Sequence, residues 1–502
     1  MTPLSSMRRD QIGIQMRSTP SRKGSDPRRL AADILHGDSA LQAQKEATTD
    51  HGAWTNARRA VLFDDYSAIR LMNQISYPDG FQLRARLRAG GDDIIVCRPR
   101  PPAGFDEYYS GRLGLGDPVW LHPDSATDLC SAAWSDSRTS AALVEAARGG
   151  AFLHPYHASE AAWQLADRLS RAAHRAVPVL GPPPRLCRLA NDKSWFLSTV
   201  SDLLGAEAIP RLRVTRRLAD FPAVIEEISR HSPKLAVRIP DSAGGLGMRV
   251  FATDVLRRLD RQALIAWAAD VYRDLGLRDD SAVLVTSWEE TLAAPSIEVT
   301  IAPGEAAAPI CGRVIDQSFT DAERSQFGGG VAGTLPLEIV RRLRSHASTI
   351  AVLLQALGYL GRLSLDFIVT GRSFAEADVR VVDCNARWSG GSVLGAMLDR
   401  LFPNGVPPYA FGALRHPRLR SIPFDVLIER LDGRLWNPST RRGDLLVHNV
   451  GHLAASGRVD IVVLADNAET ARRRLADLSR SVADGTAALL LAKDAGAGPA
   501  TS

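Results

Sequence analysis

The chain has 502 residues, 45% of them hydrophobic, enough to bury several cores and to make about two to four domains the expectation. Its formal charge of +5 does not mark a polyanion partner, because basic residues beyond the amino-terminal segment are interleaved with acids along helices, so no nucleic-acid partner is expected. Five cysteines (Cys97, Cys130, Cys187, Cys311 and Cys384) form no CxxC pair and have no histidine close in sequence, which argues against a zinc centre or a disulfide framework.

No run approaches the ~18 apolar residues of a membrane span, and the amino terminus lacks a secretory apolar stretch. A soluble, cytoplasmic protein without a membrane partner is expected. In chain order, residues 1–55 are rich in Arg, Ser and Pro and are expected to be a disordered basic segment. Residues 56–188 carry short apolar strands, such as Ala60 to Phe63 and Asp93 to Pro99, between helical and proline-rich pieces. This is α/β texture, closed by Val177 to Leu186 as a linker or a final strand.

A second unit, 189–415, reads as helix (Asp192 to Gly205), helix (Leu218 to His231), strand (Lys234 to Pro240), glycine loop and strand. A long helix (Asp254 to Gly276) and a strand (Ala282 to Trp288) follow. Further on, Ile339, Val340, Leu343, Ala347, Ile350, Ala351 and Leu354 keep a 3.6 period that stops at Gly358. Two strands, Gly361 to Gly371 and Val379 to Trp388, close the unit. Residues 416–492 read as a small α/β cap and 493–502 as a flexible tail.

Three constellations carry chemistry. The first is RIPDSAGGLGMRVF (Arg238 to Phe251), whose glycines let backbone approach a polyphosphate; it reads as either a phosphate loop or a plain turn. The second is VVDCNARW, where a period of two sets Asp383, Asn385 and Arg387 on one strand face and Val382, Cys384 and Ala386 on the other. Asp366 points away from the apolar layer of Leu363, Leu365, Phe367 and Val369. If the two strands pair, two carboxylates and an amide oxygen converge as hard ligands for Mg²⁺. The third is WEETLAAPSIEV (Trp288 to Val299), with an acidic pair ending one strand and Glu298 in the next.

The order of these parts resembles the ATP-grasp superfamily from about Asn191 to Leu401. NDK before a helix, RIPDSAGGLGMRVF, WEETLAAPSIEV, GRLSLDF and DCNARWSGGS are similar to pheganomycin-type peptide ligases. The resemblance implies an ATP-grasp fold, of α+β and α/β class, preceded by a pre-ATP-grasp α/β domain and followed by a small carboxyl-terminal α/β domain. It implies that Lys193 and Arg238 reach ATP phosphates, that Ser242, Gly244, Gly245 and Gly247 form the flexible loop, and that Glu289 sits at the adenine hinge with Glu298 near the ribose. Asp366, Asp383 and Asn385 match the family's magnesium ligands, and Arg387 matches the arginine facing the transferred phosphate.

The sequence departs from the pattern at Arg238, where lysine is usual, at Asp383, where glutamate is usual, and at Ser242 and Met248. A second arginine is usual where Ser364 stands, and Arg362 or Arg313 is the candidate substitute. Cys311 to Pro336 holds another glycine run, either a border of the carboxylate site or a surface loop. The implied reaction uses ATP and Mg²⁺ to join an amino-acid-like carboxylate to an amino acid or peptide amine through an acyl phosphate, in secondary metabolism, with a homodimer allowed for. Two other readings stay open: an amino-acid ligase making dipeptides, and a non-catalytic nucleotide-binding partner.

Overall fold

The apolar run Ala60–Phe63 is buried at every residue, as a parallel strand covered on both faces must be. As β1 it pairs with Ile94–Val96 (β2) and Phe152–Pro155 (β4), and Val119–Leu121 (β3) completes a parallel sheet in the order β3-β2-β1-β4. Helices Leu129–Ser135, Ser137–Arg148 and Glu160–Ala173 pack on it through Leu129, Leu143, Leu165 and Leu169. The proline-rich segment after them makes a single bridge, Val179 to Leu153, and then opens helix Pro184–Asn191, where a first-turn proline lacks no needed donor. This computed structural model describes residues 24–49, 58–124, 128–242, 245–278, 280–303, 307–321 and 326–487.

The second sheet is antiparallel, with Leu212–Thr215 (β5), Lys234–Arg238 (β6), Met248–Ala252 (β7) and Val283–Trp288 (β8) in the order β5-β8-β6-β7. The long helix expected over 254–276 is broken in two. Thr253–Leu256 ends early, and the Asp260 side chain accepts the Ala263 N–H to start Arg261–Asp274, because an N-cap acceptor competes with helix continuation.

The third sheet carries the site. It contains Thr291–Ala293 (β9), Pro295–Ile301 (β10), Ile310–Phe319 (β11), Phe327–Ala332 (β12), Gly361–Thr370 (β13), Asp378–Asn385 (β14), Tyr409–Arg415 (β15), Leu445–Asn449 (β16) and Arg458–Leu464 (β17). The order is β14-β13-β10-β11-β12-β15-β17-β16, with β9 pairing β13. Helix Leu337–Ala356 buries Ile339, Leu343, Ala347, Ile350 and Leu354 against it. Removing such a core leucine costs ~2–5 kcal/mol.

Three expectations are corrected here. The glycine run after Cys311 is not a surface loop: Gly328 to Gly330 lie inside β12, and a Cβ on Gly329 (φ 145°) would collide with the Phe411 carbonyl across the ladder. The strands of the block from 416 do not build a sheet of their own; β17 pairs β15 along its whole length and extends the central one. Within the segment expected to be disordered, Pro27–Gly37 and Ser39–Thr49 are helices. Their Ala31, Leu35 and Leu41 enter the core around Leu343 and Leu354, and Asp38 pairs with Arg185 at 2.7 Å. Average composition hid a short apolar stripe. Residues 1–23 and 50–57, and the tail expected at 493–502, lie outside the described residues. Among the described residues, no helix is long and apolar enough to cross a membrane.

Candidate active site

Pairing of β13 with β14 sets Asp366 opposite Asp383 and Ser364 opposite Asn385, so the hairpin condition is met. One detail differs from simple alternation. The register shifts after Asp366, so Val381 and Cys384 both face the core while Val382 turns into the cleft, a β-bulge beside the site. Val382 therefore does not share the face of Cys384 and Ala386.

Asp366 accepts from Gln317 Nε2 at 3.1 Å and from Asn385 Nδ2 at 3.0 Å. Burial, and then the charge of Asp383, push its carboxyl up to about 6. Asp383 Oδ2 lies 3.1 Å from Lys193 Nζ and 3.9 Å from Arg238 Nη2, whereas its Oδ1 is buried without a partner among the described residues. Lys193 opens helix Lys193–Leu204 behind the Asp192 cap, and its ammonium also donates to the Ser242 carbonyl at 2.6 Å. Burial lowers its pKa although Asp383 opposes the effect. Arg238 spans the two antiparallel sheets by donating to the Val382 carbonyl at 3.3 Å.

The glycine segment lies between β6 and its antiparallel neighbour β7, which it joins as a hairpin. The Ile239 N–H donates to the Gly247 carbonyl at 2.8 Å, and Ser242 Oγ donates to the Ile239 carbonyl at 3.2 Å. A Cβ on Gly247 would collide with the Ser242 side chain, so this position needs glycine. Gly245 has φ 78°, and Gly244 lies outside the described residues. Arg387 donates to Asn385 Oδ1 at 2.8 Å and to Asn191 Oδ1, which aims its charge along the face shared by Asp383 and Asn385.

The acidic candidates divide. Glu289 ends β8 region with Ser287 Oγ donating at 3.1 Å and Arg380 as its ion-pair partner. Glu298, buried on β10, instead joins Arg362 (3.3 Å) and Arg313 (3.6 Å), and Asp399 takes the other side of both arginines. Burial pushes the Glu298 carboxyl up to about 7, and its Oε1 has no partner among the described residues. The two arginines considered as substitutes for one at Ser364 are thus both engaged by carboxylates.

A cleft of ≈ 1120 Å³ brings together Lys193, Arg238, Ser242, Gly245, Glu289, Glu298, Asp366, Asp383, Asn385 and Arg387. Arg313 borders a second cavity of ≈ 780 Å³. No family model and no curated protein matches the sequence. Solved structures do match over most of its length. N5-carboxyaminoimidazole synthetase from Staphylococcus aureus complexed with ADP is 8% identical, with 85% of this chain and 98% of that one covered at a TM-score of 0.51. A variant of Rhizobium etli pyruvate carboxylase with the allosteric activator acetyl coenzyme A is 14% identical, with 84% and 37% covered, also at 0.51.

The chain has the ATP-grasp fold. In ATP-grasp terms, the β5–β8 sheet is one lobe, the central sheet is the other, and the cleft lies between them. Sequence reasoning missed Gln317, Asn191 and Arg380, which hold Asp366, Arg387 and Glu289. Gln317 shares the period-two face of Ile315 on β11, a signal available only once that segment is known to be a strand.

Proposed function

We propose that this protein is an ATP-dependent ligase that phosphorylates a carboxylate and joins it to an amine. The observation that carries the reading is the paired Asp366 and Asp383, with Asn385, facing Lys193 and Arg238 across one cleft. The donor set fits a magnesium ion: among the described residues Asp383 keeps a buried oxygen without a partner, and the burial and then the Asp383 charge that raise Asp366 are what a divalent cation offsets. Asp366, Asp383 and Asn385 would hold it. Bound there, it would supply charge neutralisation at the terminal phosphates.

The chain's own residues do the rest. Lys193, Arg238 and the glycine hairpin hold the phosphates of ATP, and closure of the cleft excludes water. The substrate carboxylate attacks the γ-phosphorus, the bond to the bridging oxygen breaks, and ADP leaves. Arg387, pre-set by Asn191 and Asn385, meets the charge moving between those oxygens without reorganising. The amine then attacks the acyl carbon, inorganic phosphate departs, and an amide remains.

Motif order alone supports the finer form of this reading: a peptide ligase of secondary metabolism, joining an amino-acid-like carboxylate to an amino acid or peptide amine in the cytoplasm. Heavy oxygen placed in the substrate carboxylate tests the reaction. It must appear in inorganic phosphate with ADP as the nucleotide product; label in AMP, with pyrophosphate released, refutes the proposal.

A further inference from the structure

Beyond the phosphate end, the cleft runs into a chamber between the first parallel-sheet unit and strands β15 to β17, charged by Arg84, Arg415, Arg458 and Asp460. Asp460 is fully engaged. Arg458 donates to both its oxygens, at 2.7 and 3.1 Å, and Asn449 adds a third donor at 2.8 Å. Arg84 and Arg415 form no direct ion pair with a carboxylate among the described residues; the carboxylates that act on them, Asp64 and Asp460, are themselves paired with Arg88 and Arg458. Arg84 gives one N–H to the Tyr66 hydroxyl at 2.8 Å and lies 4.4 Å over the Phe81 ring. The chamber therefore keeps two positive charges in excess.

His448 supplies a second, independent observation. It is buried, it lines the same cleft, and neither of its ring nitrogens has a partner among the described residues. Buried polar groups are rarely left open, so an imidazole with two open nitrogens beside uncompensated cations marks a place completed by a ligand. The walls next to Arg84 are aromatic, formed by Tyr66, Phe81 and Tyr156.

We propose that this chamber binds an anionic group, carboxylate or phosphate, carried on an aromatic or apolar stem of the substrate that reacts at the phosphate end. Arg84 and Arg415 meet the charge, one ring nitrogen of His448 donates to an anion oxygen, and the aromatic wall takes the stem. The word substrate rests on the ligase reading above; the anion site does not.

Calorimetric titration of the full chain with 3-phenylpropionate, 3-phenylpropionamide and phenyl phosphate tests it. At least one of the two anions binds roughly tenfold or more tighter than the neutral-ended amide, and the better of the two identifies the anion. Arg415→Gln, at an exposed position, and His448→Phe each erase that preference and leave ADP affinity unchanged, which also reports that they fold. The proposal is overturned if the amide binds as well as both anions, if neither anion binds, or if both variants keep the preference. ATP turnover is scored separately. Intact anion preference without ADP formation against any carboxylate and amine refutes the ligase reading alone, and ADP formation without anion preference refutes the chamber alone.

Discussion

Replacing Asp366 by asparagine should make the empty protein more stable while destroying its activity. Burial and the neighbouring Asp383 raise this carboxyl from 3.8 to about 6, so keeping it ionised at pH 7 costs folding about 3 kcal/mol at ~1.4 kcal/mol per pH unit. An amide carries no such cost, but it offers one acceptor oxygen where the carboxylate offers two. Either Gln317 or Asn385 then loses its acceptor, at ~1–2 kcal/mol. The net gain is ~1–2 kcal/mol at pH 7. A raised folded pKa means the wild type is penalised least below pH 3.8 and progressively more as pH rises through 6. The gap between variant and wild type should therefore narrow by ~1 kcal/mol at pH 5. Thermal melts in EDTA measure it: the variant melts about 1–2 °C higher at pH 7, and the difference shrinks at pH 5. Magnesium with ADP should then raise the wild-type midpoint but not the variant's, and ATP-dependent phosphate release should fall at least ~100-fold in the variant. A variant that melts below wild type at pH 7, or that keeps the magnesium-dependent shift, refutes the reasoning.

Arg387→Ala should lower the rate of phosphoryl transfer by about 10³-fold and ATP affinity by no more than ~3-fold, since its charge matters most while negative charge moves between oxygens; single-turnover kinetics beside equilibrium ADP binding separates the two. Gly247→Ala forces a Cβ into Ser242, so ATP affinity should drop roughly tenfold or more in equilibrium binding, and unchanged affinity would remove the hairpin from the nucleotide site. Burial holds His448 down to about 4, below its ordinary 6.5, so under pH 6.5 the unfolded chain binds a proton that the folded one refuses. Stability should fall as pH drops from 6.5 toward 4, by about 3 kcal/mol from this group, and His448→Phe should flatten that slope in urea titrations; an identical slope counts against it.

The hairpin of Asp366 and Asp383 was legible because a period of two over a well-patterned pair of strands fixes which side chains share a face. Its bulge was not, because an extra residue such as Val382 leaves no trace in a pattern read one strand at a time. Helix 337–356 was legible from seven apolar positions and a terminal glycine. The helices over 27–49 were hidden by their polar surroundings: Leu30, Ala31, Ile34 and Leu35 recur at helical spacing, but charge and proline dominate any average taken across the segment. Of the two readings of Cys311 to Pro336, the surface loop fails: Gly328 and Gly329 line the cleft from within β12, and glycine is demanded there by the close approach of β12 to β15 at Phe411.

Contact partners, in contrast to faces, follow from the three-dimensional arrangement alone, and here they change the chemistry of the site. Lys193 is paired with Asp383, Glu289 with Arg380, Glu298 with Arg313 and Arg362, and Arg387 with Asn385 and Asn191. Each functional charge is thus partly satisfied within the chain, so a phosphate entering beside Lys193 must compete with Asp383 for the ammonium. A divalent cation at Asp383 removes that competitor at the same moment. Nucleotide and metal should for this reason bind with positive coupling, each tightening the other, because the Lys193 to Asp383 contact is given up once and benefits both. Lys193→Met breaks the exchange: magnesium would then bind without raising ADP affinity through this contact. Measuring ADP binding with and without magnesium in both proteins gives the coupling directly, and equal coupling in wild type and variant would show that the 3.1 Å contact plays no part in it.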